Sequence, residues 1–177
     1  GLERRMTDET RIRLGDLSAG PVHRTLAPGA REREALARRL GVEAIDRLEA
    51  GLDIRAWMDG CEVSGRFTGE VVQVCGVSLE PFSQPVSGDI QVRLVPDGSP
   101  SLPTDEGDGE VEISLETPDP PERLEGEVVD LAGLVEEHLA LAIDPFPRKP
   151  GAVFEWEPGP DTTSPFAALR GLKDSGE

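Results

Sequence analysis

Between Ile54 and Leu115 the apolar pattern changes to a period of two, which indicates strands and excludes an all-helical chain. Ile90, Val92 and Leu94 alternate with Asp89, Gln91 and Arg93, and Val111, Ile113 and Leu115 alternate with Glu110, Glu112, Ser114 and Glu116. Each run reads as a half-buried strand with one wet face, and the short connections favour antiparallel pairing. Val63 and Phe67 share one face, and Val72 and Val74 share another beyond Gly69, the expected bend or bulge. Residues 96–109 form a loop of Pro, Gly, Ser and Asp too polar to pack.

Helical patterns flank this region. Ala30–Leu40 consists almost wholly of strong helix formers and is stopped by Gly41, with Leu36 and Leu40 as a narrow apolar stripe. In residues 130–143, Asp130 is the expected N-cap. Leu131, Leu134, Val135, Leu139 and Ala142 fall on one face there. Residues 10–17 predict an edge strand, and residues 42–52 fit a short helical turn or a strand equally well. The fold class expected is α+β: an antiparallel β-sheet, as a meander or partial barrel, with packed helices and a C-terminal helical tail. One domain is expected over residues 10–144, a Pro-rich linker over 145–163 and a short helix over 164–173, with 1–9 and 174–177 flexible.

Charge limits the partners. The 177 residues carry a formal net charge of -17, and residues 97–137 hold fourteen acids against one base, Arg123. Residues 1–50 are near neutral, with ten arginines against nine acids. Such a chain repels a polyanion unless its arginines are segregated, because nucleic-acid affinity comes mainly from bases that displace counterions. The N-terminal arginines could meet phosphate, while the acidic middle could meet a basic protein or merely keep the chain soluble. No apolar run approaches the roughly 20 residues of a membrane span, so no membrane partner is expected. Gly-Leu-Glu-Arg-Arg at the start lacks the apolar core of a signal peptide, and two cysteines make no disulfide scaffold. Together these point to the cytoplasm.

Catalytic patterns are weak. Gly76-Val77-Ser78-Leu79-Glu80 lacks the second glycine of a nucleophile elbow. His23 and His138 sit in no triad pattern, and His138 borders the apolar stripe of its helix. Adjacent Glu136, Glu137 and His138 splay about 100° apart on a helix and cannot share one ion. Asp105, Asp108 and their acidic neighbours lack the spacing of an EF-hand loop. Cys75-Gly-Val-Ser78 is half of a Cys-x-x-Cys zinc motif in which a hydroxyl, a poor zinc ligand, takes the second place. No enzyme, cofactor or metal is expected.

The run Val74-Cys75-Gly76-Val77-Ser78-Leu79-Glu80-Pro81-Phe82 resembles the Cys-x-x-Cys-Leu-Glu-Pro-Phe signature of the YceD family, also called DUF177. Further along, the run at residues 129–145, which holds the second helix, and the closing Ser164-Pro-Phe-Ala-Ala-Leu-Arg-Gly-Leu-Lys173 fall in the family's order. The resemblance implies a non-catalytic, cytoplasmic ribosome-biogenesis factor that promotes accumulation of large-subunit (23S) ribosomal RNA in bacteria. Its implied partner is that RNA or a pre-ribosomal particle. Many members carry a second cysteine where Ser78 stands and further cysteines beyond the long helix. Residues 143–157 here have none, so the chain resembles a zinc-less branch.

Two modes of action fit. In one, Arg11, Arg13, Arg31, Arg33, Arg38 and Arg39 contact RNA phosphates. In the other, the acidic surface engages a basic ribosomal protein or assembly factor, and the effect on RNA is indirect. The tail presents Phe166, Leu169 and Leu172 at helical spacing. A ten-residue helix is marginal alone in water, so these side chains need a surface, either the chain's own or a partner's groove.

Overall fold

The computed structural model describes residues 10–102 and 119–155. In chain order the elements are β1 (Arg11–Arg13), a 3-10 turn (Leu14–Ala19), β2 (Val22–Leu26), α1 (Ala30–Leu40), β3 (Ala44–Trp57), β4 (Gly60–Val74), β5 (Pro81–Pro96), β6 (Glu122–Leu124), β7 (Val128–Asp130) and α2 (Leu131–Ala142). β2 to β5 form an antiparallel meander, and β6 joins β5 in parallel. β1 and β7 make a separate antiparallel pair.

The class is α+β, and the sheet is open rather than a partial barrel. Its edge strands β2 and β6 have five and three residues, with three strands between them. At about 4.8 Å per strand those edges lie roughly 19 Å apart across the sheet, too far to pair.

The inner face follows the pleat. Cys61, Val63, Phe67, Val71, Gln73 and Cys75 are all buried, and all stand at odd positions of β4 and its continuation. Opposite them lie Ala50, Leu52 and Ile54 of β3 and Ile90, Val92 and Leu94 of β5. α1 covers β3 and α2 covers β5. Leu36 and Ala37 of the first helix, and Leu131, Leu134, Val135 and Leu139 of the second, close the core. The other face is wet and laced with ion pairs, as a one-sided antiparallel sheet requires. At its centre the Glu62 carboxylate, 3% exposed, accepts from both Arg55 and Arg93. The Arg93 guanidinium lies 5.0 Å from the Trp57 ring centre.

Several local expectations change. Residues 10–17 do not make one edge strand: only Arg11–Arg13 are extended. The backbone then tightens, because Asp16 accepts from the Arg13 amide at 3.3 Å and the Ser18 hydroxyl donates to the Gly15 carbonyl at 2.8 Å. Residues 44–52 are strand. The irregularity lies not at Gly69 but in β3, between Ile45 and Arg47. Gly69 sits in regular register, where a Cβ would come within 2.7 Å of the Arg47 carbonyl oxygen. Val72 is half-buried and Val74 exposed on the wet face. Ala142 is also exposed, so the apolar face of α2 ends at Leu139. The strand expected around Val111, Ile113 and Leu115 lies outside the described residues, as does the acidic loop from Asp105.

Both helices terminate as their sequences predict. Gly41, at φ 69°, closes α1 in the left-handed region. The Asp130 carboxylate caps α2 by accepting from the Gly133 amide at 3.2 Å.

Phe67 lies over Gly88 on β5, where a Cβ would stand 2.7 Å from its Cε1. Gly88→Ala therefore forces a buried ring to move. It should lower stability by about 1–3 kcal/mol, read from urea denaturation, with the two-state slope unchanged.

Candidate functional site

The pleat of β4 carries Cys75 inward at the end of the sheet, where the chain reverses. The Cys75 amide donates to the Glu80 carbonyl and the Leu79 amide to the Cys75 carbonyl, both at 2.9 Å. Leu79 adopts φ 59°, uncommon for a branched side chain, and its side chain points into solvent. The segment leaving α2 runs along this turn. Gln73 Nε2 donates to the Asp144 carbonyl, and the Gly76 amide to the Pro147 carbonyl, at 2.9 Å each. Lys149 Nζ meets Glu80 Oε2 at 2.8 Å. The start of the stretch expected as a linker is thus hydrogen-bonded to the signature turn.

Cys75 Sγ accepts three backbone amides, from Val77 and Ser78 at 3.4 Å and from Lys149 at 3.3 Å. The Ser78 hydroxyl and amide, followed by the Lys149 and Val77 amides, lower the thiol to about 6 against the opposing effect of burial. Hydrogen bonding to Lys149 lowers Glu80, and the same contact raises Lys149. Cys61, on the same face at the other end of β4, is pushed by burial to about 11. At about 3.3 Å per residue the fourteen-residue offset between the two positions spans roughly 46 Å of strand, so the sulfurs cannot bridge or share a ligand.

A zinc ion does not fit here. Cys75 supplies a single sulfur, Ser78 offers only a hydroxyl, and the neighbouring Lys149 brings a positive charge that opposes a cation. Among the described residues no three His, Cys, Asp or Glu side chains converge as a metal set. Lys149 was missed from sequence. No local signal marked it, because its contacts with Cys75 and Glu80 span 74 and 69 residues of chain.

Leu79, Glu80, Pro81 and Phe82 complete the turn and open β5. Pro81 pairs with Val74, and half-buried Phe82 pairs with Gln73. The Gln73 side-chain oxygen accepts from Gln84, so both ends of this buried amide are used.

The six arginines separate into two groups. Arg33 is half-buried, donating from Nε to the Ile45 carbonyl at 3.0 Å and from Nη1 to the Pro28 carbonyl at 2.8 Å. Arg39 makes a two-pronged contact with Glu136 at 2.8 Å and so ties α1 to α2. That contact raises Arg39 and lowers Glu136. Arg38 pairs with Glu34 at 3.2 Å on the exposed helix face. The Arg11, Arg13 and Arg31 side chains are exposed and form no ion pair among the described residues. Between the helices lies an apolar groove of about 300 Å³, lined by Leu36, Leu48 and Val135 and bordered by the Arg39–Glu136 pair.

Neither histidine is placed for chemistry. His138 Nδ1 contacts the Leu134 carbonyl at 2.8 Å. His23 meets Asp53 at 2.9 Å and Thr25 at 3.5 Å, an acid–base–hydroxyl order, but all three stand exposed on the wet face. A general base there lacks the exclusion of water that would sharpen it. Phe166, Leu169 and Leu172 lie outside the described residues.

The depressed thiol fixes a pH dependence. A group falling from 9.0 unfolded to about 6 folded contributes stability that is full above pH 9 and declines as pH falls toward 6. The melting-temperature gap between the natural chain and Cys75→Ala should therefore be widest near pH 9 and narrow steadily to pH 5.5. A gap constant across that range would show that the sulfur stays protonated.

Residues 63–173 match the family model described as "Large ribosomal RNA subunit accumulation protein YceD". No curated protein and no solved structure matches the chain. The matched stretch starts in β4 and includes the signature turn, β5, the strap from Asp144 to Lys149 and α2, well over half of the sequence. The chain belongs to the YceD family.

Proposed function

We propose that this protein promotes accumulation of large-subunit (23S) ribosomal RNA as a non-catalytic, cytoplasmic assembly factor acting on the RNA or on a pre-ribosomal particle. The observation that carries the reading is the family match over residues 63–173. The histidine environments support a non-catalytic role, since neither is joined to a shielded nucleophile. Direct RNA contact in this reading rests on Arg11, Arg13, Arg31 and Arg38. Arg33 and Arg39 are committed to internal bonds.

That commitment favours a second reading. Fewer arginines are free while the net charge stays at -17, so the acidic surface engages a basic ribosomal protein or assembly factor and RNA responds indirectly.

Titrating a large-subunit RNA fragment at several salt concentrations separates the two. Direct contact predicts that Arg11→Ala/Arg13→Ala/Arg31→Ala weakens binding and flattens the log K–log salt slope by about 2, at roughly 0.7 per phosphate on single-stranded RNA. Unchanged RNA binding in that variant, with crosslinking of the natural chain to a basic ribosomal protein, selects the second reading. Arg39→Ala is unsuitable as a probe because it also unties α1 from α2, at a cost of up to about 1 kcal/mol for a partly exposed pair.

A further inference from the structure

The corner where the signature turn meets the strap leaves several large apolar side chains in water. Leu79 is 75% exposed, Phe146 84%, Val153 76% and Phe154 70%. Leu79 and Phe146 belong to one corner because their neighbours are bonded across it: Gly76 to Pro147, and Glu80 and Cys75 to Lys149. Val153 and Phe154 follow directly after the turn that the Ala152 amide closes on the Lys149 carbonyl. Scattered exposed leucines need no explanation, but large apolar residues gathered on two bonded loops mark a surface that gets covered. Leu79 holds its outward position at a left-handed backbone angle that costs energy for a branched residue.

We propose that the chain's own C-terminal segment covers this corner, with Phe166, Leu169 and Leu172 packing on Leu79, Phe146 and Phe154. Phe154, one of the exposed residues, precedes the segment in the chain by ten residues. Phe154 and Phe166 are separated by a linker whose root-mean-square span is about 19 Å and whose fully extended reach is about 40 Å. A tether of that length sets an effective concentration in the millimolar range, far above that of any dilute partner.

Hydrogen exchange on the full chain tests the assignment. Amides of residues 164–173 should exchange about tenfold or more slower than an unstructured peptide, independently of protein concentration. In the Leu79→Asn/Phe146→Ser variant that protection should vanish while protection of the β4 amides is kept. Asn tolerates the left-handed angle and both sites are exposed, so the domain has no reason to unfold. Unprotected amides in the natural chain overturn the proposal, as does protection that survives the double substitution. Protection that grows with protein concentration assigns the corner to a second copy, and protection arising only with added ribosomal particles assigns it to a partner. Either result also overturns docking within the chain.

Discussion

The pleat of β4 is the constraint on which the other features depend. Its odd positions are inside from Cys61 to Cys75, so one register both fills the core with Val63, Phe67 and Val71 and delivers Gln73 and Cys75 to the signature corner. A slip of one residue would expose the whole set. Because the last two inward groups are polar, burial alone cannot hold them, and each needs partners where it lands. Those partners are the Asp144 carbonyl, Gln84 and the amides of Val77, Ser78 and Lys149. Packing of α2 against β5 sets where residues 144–149 run, so the core and the corner are one mechanical unit.

The corner shows how a Cys-x-x-Ser turn keeps its shape without a second thiolate. A metal would draw the loops together through a shared cation. Here the amides converge on one sulfur, and the Lys149–Glu80 pair closes the outer side. The sulfur is the acceptor in this arrangement, which is why its acidity rises while that of the distant Cys61 falls under burial alone. Two cysteines on one strand face thus differ in acidity because of what ends each half of the strand.

Internal pairing also reshapes the electrostatics. Arg55 and Arg93 are held by a buried Glu62, Arg33 by carbonyl oxygens and Arg39 by Glu136. Bases used in this way organise the fold, and Arg33 and Arg39 of the arginine-rich half are committed to internal bonds.

The local elements were legible because their signals are local. Helix propensity with Gly41 set α1, Asp130 with the 3.6-residue stripe set α2, and strict alternation set the half of β5 around Ile90. Residues 42–52 were ambiguous for a physical reason: the register shift between Ile45 and Arg47 leaves Ile45 and Leu48 both inside at a helix-like spacing of three. The signature at Cys75 marked the family in sequence. Sequence could not reveal that Lys149 reaches Cys75 and Glu80, that Arg39 reaches Glu136, or that Leu79 and Phe146 share an exposed corner. Those pairings join residues far apart in the chain, and they exist only because the meander and the two helices stack on one face of the sheet.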